Sequence, residues 1–192
     1  MYPTPPPRKH TPTPPRIADW PLAQQYAERL RGTVVACGPG FRLASWPDVP
    51  VTRATALSRW LASPRYVAVQ MTAAWVWGAC YQPGEPTVLT RGGRISASRE
   101  QSGATYLIGR IADDEVTTVA GYSVSSPLRT AYDLLRSERV FDERERAAVR
   151  LLAFGRREEL IARANRCSPG ESRLIRTRLE ALYGTASRSP SS

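Results

Sequence analysis

The chain has 192 residues, of which 42% are apolar and 8% aromatic, a composition that excludes a disordered chain and suits one domain, or one domain with a small appendage. Lys and Arg number 27 against 17 Asp and Glu, a net charge of +10. That charge favours a polyanionic partner, nucleic acid first and an anionic membrane surface second, although solubility alone accounts for it equally well. No run of about 18 consecutive apolar residues is present and residues 1–16 contain no apolar h-region, so neither a membrane span nor a secretory signal is expected, and the chain reads as cytoplasmic.

Residues 1–17 form a basic arm with prolines at positions 3, 5, 6, 7, 12, 14 and 15. Such a segment favours polyproline II and is not expected to pack a core. It is a plain disordered arm or, through Arg8, Lys9, His10 and Arg16, an electrostatic tether for nucleic acid. Asp19 is placed to cap a helix that runs to Arg31 and stops at Gly32, with Leu22, Tyr26 and Leu30 on one apolar stripe. Strands at 33–36 and 41–44 then flank Cys37-Gly38-Pro39-Gly40, which reads as a hairpin with a glycine-rich turn. This helix and hairpin, residues 18–48, read as the remnant of a winged helix-turn-helix without its first helices. Arg42 on the wing is its candidate phosphate contact.

Residues 49–155 read as an α/β core. Thr52 is expected to cap a helix through Ala54, Leu57, Trp60 and Leu61 that ends at Ser63-Pro64. Residues 66–69 are extended or enter the next helix. In the helix over 72–77, Ala73, Ala74 and Trp77 share one side, Trp75 points towards the other, and Gly78 is the stop. Both tryptophans are expected in or near the core, the alternative being an aromatic platform for a base. Strands are predicted at 87–90, 94–97, 106–111, 115–119 and 122–124. The fold class is therefore α+β, with a small mixed or antiparallel sheet of about five strands packed with helices. Arg91-Gly92-Gly93-Arg94 reads as a hairpin turn whose arginines are candidate phosphate contacts; it lacks the glycine spacing and Lys-Ser/Thr of a phosphate loop.

The stretch over 121–136, GYSVSSPLRTAYDLLR, is a strand running into a helix. Ser126 is at the N-cap and Pro127 at the first helical position, where its missing N–H costs nothing. Leu128, Ala131, Tyr132, Leu134 and Leu135 form the apolar face. Arg129 and Asp133 are four apart and meet on one helix surface. They read as a surface ion pair worth about 0.3–0.5 kcal/mol or, alternatively, as a functional polar pair where sheet meets helix. The last third is helical. Asp142 caps a helix that stops at Gly155, a shorter helix covers 158–165, and Ser168-Pro169-Gly170-Glu171 is a capping box. It opens a helix with Ile175, Leu179 and Leu182 on its buried stripe. Around these C-terminal helices (156–183) lie Arg156, Arg157, Arg163, Arg166, Arg173 and Arg176, a solvated surface or a basic patch for nucleic-acid backbone. Residues 184–192 are read as a free tail.

Little of the sequence suggests catalysis. Cys37, Cys80 and Cys167 are far apart and form no CxxC, and His10 is the only histidine, so ligands for structural zinc and a nucleophilic triad are both lacking. No cofactor or metal is expected. Asp113-Asp114-Glu115 is the densest acidic cluster, but neighbours in an extended turn diverge.

Two segments carry a family resemblance. GYSVSSPLRTAYDLLR resembles the G-x-x-V-T/S-S/T-P-x-R-T-A-x-D-L segment of the AbiEi-like antitoxins of type IV toxin–antitoxin systems. Residues 72–79, TAAWVWGA, resemble that family's S/T-A-A-x-x-W/H-G helix, in the same order and at about the same spacing. The resemblance implies a non-enzymatic antitoxin whose motif residues are Pro127, Arg129, Thr130 and Asp133. It also implies a nucleotidyltransferase-type toxin that the antitoxin need not touch. A transcriptional regulator that binds nucleic acid, or an orphan protein-interaction module of the same fold, are the alternatives. Residues 168–174, SPGESRL, resemble the opening of a restriction-like nuclease domain, but Glu171 reads as a helix cap and not as a metal ligand.

Overall fold

A computed structural model of the chain describes residues 12–92 and 103–184. It is an α+β fold with seven α-helices, a five-stranded mixed sheet and a two-stranded sheet among the described residues. The first elements among the described residues are a short 3-10 turn, Ile17–Asp19, and helix α1, Leu22–Leu30. The hairpin follows, with strand β1 at Val34–Cys37 and β2 at Gly40–Leu43. Helix α2 is Pro50–Ala56, strand β3 Tyr66–Ala68, helix α3 Gln70–Val76 and strand β4 Thr87–Arg91. Strand β5 is Thr105–Gly109, β6 Val116–Val119 and β7 Tyr122–Ser125. Four helices follow: α4 at Pro127–Arg136, α5 at Glu143–Leu152, α6 at Arg157–Ala164 and α7 at Pro169–Tyr183.

The sheet order is β5-β4-β3-β7-β6. β3 lies parallel to β7 and antiparallel to β4, β4 is parallel to β5, and β6 is antiparallel to β7. The strand predicted at 94–97 lies outside the described residues. The five strands close instead because residues 66–68, read only as extended or helical, take the centre of the sheet. Their run of three buried residues has no alternation, as expected of a strand covered on both faces.

Alternation along the strands divides the core. Tyr66, Ala68, Val88, Tyr122 and Val124 face α2 and α3 and pack with Ala54, Leu57, Trp60, Trp75 and Val76. Val67, Val69 and Leu89 turn to the other face, where Leu107, Ile111 and Val116 join them. A third cluster unites Ala74 of α3 with the buried sides of α4 to α7. There Ile175, Leu179 and Leu182 are buried as their spacing predicts. Both motif tryptophans pack inside: Trp75 is 2% exposed, and the partly buried Trp77 donates its indole N–H to Ser125 O at 2.8 Å. Gly38 opens the hairpin turn at φ +56°, and a Cβ there would lie 2.5 Å from the Trp75 ring. The hairpin therefore sits directly on the core.

Several local expectations are corrected. Asp19 belongs to the 3-10 turn, and Pro21 is at the N-cap of α1. The stripe of Leu22, Tyr26 and Leu30 is 65%, 56% and 91% exposed. Its periodicity is helical as predicted, but the partly covered residues of α1, Gln25, Ala27 and Glu28, lie off this stripe, and Arg29 at its edge lies 4.7 Å from the centre of the Phe41 ring. Of the proline-rich arm only residues from 12 on are described, and Pro14 and Ile17 are already buried. Thr52 is inside α2, whose N-cap is Val49 with Pro50 at its first position; its hydroxyl donates to Pro47 O at 2.8 Å. The helix itself ends at Ala56, and Leu57, Trp60 and Leu61 are buried in the turns beyond it. Ser126, Asp142 and Ser168 are N-caps as expected, but the Glu171 side chain accepts from the Tyr132 hydroxyl at 2.9 Å. No helix among the described residues is long and apolar enough to cross a membrane.

The tight turn between β6 and β7 holds Ala120 at φ +51° and Gly121 at φ +83°. Two positive φ values in a two-residue hairpin loop suit Asn-Gly, and alanine is strained there. Ala120→Asn is expected to raise stability by about 0.5–1 kcal/mol, read as a higher urea midpoint with an unchanged slope.

Candidate functional site

Helix α4 departs from the end of β7 beside the centre of the sheet, and its first turn is bound back to the strand it leaves. The Ser126 hydroxyl accepts from Arg129 N at 3.3 Å. Pro127 takes the first helical position. The fully buried Thr130 donates to Ser126 O at 2.9 Å, and its hydroxyl lies 2.8 Å from that of Ser125. Thr130 is therefore a positioning residue: it fixes the direction in which α4 leaves the sheet, and with it the place of Arg129 and Asp133.

Those two are not on the surface. Arg129 is 8% and Asp133 9% exposed, which overturns the reading of a solvated ion pair. Arg129 donates Nε–H to Asp133 Oδ2 at 2.9 Å and Nη1–H to Glu115 Oε2. The other Glu115 oxygen is paired with Arg163 Nη1 from α6. The Arg163 guanidinium lies 4.1 Å from the centre of the Tyr132 ring. The Tyr132 hydroxyl is 2.9 Å from both Glu171 Oε1 and Cys167 Sγ, and Arg136 reaches Glu171 at 3.3 Å. One polar network thus joins the turn before β6 with α4, α6 and α7.

The charges are tuned by this arrangement. Burial pushes the Asp133 carboxyl above its usual range, against the pull of Arg129. Burial would also raise Glu115, but the hydrogen bond from Arg163 and the charges of Arg129 and Arg163 prevail and hold it below the usual range. Burial alone would weaken the Arg129 cation, yet its two carboxylates hold the proton more firmly than usual. Burial raises the Tyr132 phenol, and its Cys167 and Glu171 partners raise it further.

The remaining candidates are dispersed. Arg42 holds its own loop, donating to Trp46 O at 2.6 Å and Leu43 O at 3.2 Å. Arg156 forms a two-point pair with Glu159 at 2.7 Å, and Arg157 lies 3.9 Å from Glu158. Arg176 bonds Asn165. Arg166 and Arg173 are exposed, and Arg166 borders a depression of about 390 Å³ with Arg163, Tyr132 and Glu115. Arg91 pairs with Asp113 at 2.6 Å; Gly93 and Arg94 lie outside the described residues, as do Arg8, Lys9 and His10 of the arm. Among the described residues no group of three or more His, Cys, Asp or Glu is placed to hold a metal ion.

Sequence reasoning missed Glu115 as the second partner of Arg129, and Arg178. From α7, Arg178 donates to Leu135 O at 2.9 Å and Ser137 O at 2.6 Å, covering the free carbonyls at the end of α4. No local signal marks either residue, because both partners are distant in the chain. A scan against protein-family models finds no match, and neither do searches of curated proteins and of solved structures.

The network sets both the stability of the fold and its pH dependence. Removing one partner of a buried ion pair costs about 3–5 kcal/mol. Arg129→Ala is therefore expected to lose about 3 kcal/mol in urea unfolding, while Arg156→Ala, which breaks only an exposed pair, leaves the midpoint unchanged. The second concerns pH. A carboxyl held below its usual value contributes stability that is complete above the unfolded pKa of 4.5 and is lost as pH falls through the folded one. The stability gap between wild type and Glu115→Gln is thus expected to be widest near neutrality and to shrink below about pH 4.5. Asp133, shifted the other way, contributes with the opposite sign.

Proposed function

We propose that the chain is a non-enzymatic, cytoplasmic antitoxin of the type IV kind, which opposes a nucleotidyltransferase-type toxin without having to bind it. The reading starts from the resemblance of the two motif segments. One observation supports it: the segments, about fifty residues apart, form two neighbouring strand–helix units. β3 leads into α3 and β7 into α4, the two strands run parallel, and Trp77 of the first motif bonds Ser125 of the second at 2.8 Å. Residues that resemble one family's paired motifs thus make one structural unit. The non-enzymatic part rests on the commitment of Arg129, Asp133 and Glu115 to one another.

Expression beside a toxic nucleotidyltransferase encoded in the adjacent gene tests the proposal. Growth is expected to recover with this chain, and at equal soluble protein Arg129→Ala and Asp133→Ala are expected to weaken the rescue more than Arg176→Ala. Failure of the wild-type chain to rescue overturns the reading. The net charge of +10, with Arg166 and Arg173 exposed, favours a second reading as a nucleic-acid-binding regulator. It requires retention on a phosphate column that falls steeply with salt.

A further inference from the structure

Among the described residues, the sheet face opposite α2 and α3 is only partly covered. Beside its apolar cluster runs a groove of about 580 Å³ between β3–β5 and α4. The volume is within the range of small-ligand sites, about 300–1,000 Å³. Its floor is apolar, made by Val69, Leu89 and Leu107. Arg110, Arg136 and Arg139 line it with a single exposed carboxylate among them, Glu138, and all four are exposed. Arg136 already shares Glu171. For Arg110 and Arg139 no ion-pair partner is present among the described residues, so two guanidinium groups are at hand for an anion. At the inner end are Asp133, with one oxygen on Arg129, and Gln70, both lining the groove.

Gln70 adds an independent observation. It has φ +51° at the first position of α3, a left-handed conformation that a non-glycine residue adopts at a cost of about 1–2 kcal/mol. Such strain collects where a side chain or backbone is held for a ligand. The groove combines apolar side chains, polar groups able to meet the edge of a ring, and two guanidinium groups without an ion-pair partner among the described residues. A bare phosphate needs no apolar floor, and a lipid chain needs no polar inner end.

We propose that this groove binds a nucleotide unit, with its phosphates on Arg110, Arg136 and Arg139, its base against Leu89 and Leu107, and the base edge towards Gln70 and Asp133. The unit is a free nucleoside triphosphate or the 5′ end of an RNA strand. The site goes beyond the antitoxin reading and does not rest on it, since binding is measured without a toxin.

The test is calorimetric titration of the full chain with ATP, GTP, inorganic triphosphate and a 5′-triphosphorylated hexaribonucleotide. Saturable binding of at least one nucleotide-bearing probe is expected. Arg110→Ala/Arg139→Ala, whose substitutions are exposed and outside the core, is expected to weaken it about tenfold or more. Arg31→Ala/Arg146→Ala removes the same charge outside the groove and is expected to bind as wild type does at the same ionic strength. Tighter binding of the hexaribonucleotide than of ATP or GTP assigns the site to RNA ends, and the reverse assigns it to free nucleotides; both uphold it. The proposal is overturned if no nucleotide-bearing probe binds, or if both double variants bind equally. It is also overturned if triphosphate alone binds as tightly as the nucleotides, which would leave the apolar floor without a role.

Discussion

The structure depends on one buried guanidinium. Taking an ion out of water costs several kcal/mol after relaxation, and Arg129 is 8% exposed. Its cost is offset because two carboxylates reach it from different elements, Asp133 within α4 and Glu115 from the turn before β6. Glu115 is in turn shared with Arg163 of α6. Two positive and two negative groups close the cluster at zero net charge. Charges held this way stabilise a particular arrangement more than they stabilise folding in general: replacing the whole set by apolar side chains can be neutral, whereas removing one member leaves its partner stranded. The cluster therefore sets where α4 and α6 sit against the sheet.

That placement depends on how α4 begins. Ser125, Ser126 and Thr130 bind the last residues of β7 to the first turn of the helix, and Pro127 removes an N–H that would have no partner there. At the far end, Arg178 covers the last carbonyls from α7. α4 is fixed at both termini and along its buried face, and α3 lies against it with Trp77 bonded to the end of β7. The paired strand–helix units are thus rigid at the place where the groove opens beside them. Rigid elements hold a binding geometry better than loops do.

Local chemistry was legible in the sequence. Ser126-Pro127, Asp142 and Ser168-Pro169 mark helix starts because capping is decided by a few adjacent residues, and the hairpin around Gly38 was readable for the same reason. The fold class and the buried stripe of α7 followed from periodicity. The site was not legible. An i,i+4 spacing says only that Arg129 and Asp133 share a face of the helix, and whether that face meets water depends on Glu115, 14 residues earlier, and on Arg163 two helices later. The exposed stripe of Leu22, Tyr26 and Leu30 is the converse case: the same kind of pattern implies an apolar face without saying what covers it. Residues 66–68 were ambiguous because a strand covered on both faces loses its alternation, and a short apolar run then fits a helix equally well.

The arginines divide in the same way, by what each one meets in the fold. A net charge gives the excess of cationic over anionic side chains and nothing of what each arginine holds. Arg42, Arg53, Arg129, Arg163 and Arg178 are used inside the protein, on loop carbonyls, helix ends and buried carboxylates. Arginine suits these roles, since its planar fork meets two acceptors at once and keeps its charge when buried. Among the described residues, those exposed without an ion pair include Arg166 and Arg173 near the last helices and Arg110 and Arg139 at the groove. Among the described residues, it is at the groove that such guanidinium groups occur with apolar side chains and a strained residue beside them. Burial and pairing thus reduce a diffuse basic composition to one location with the chemistry of a binding site.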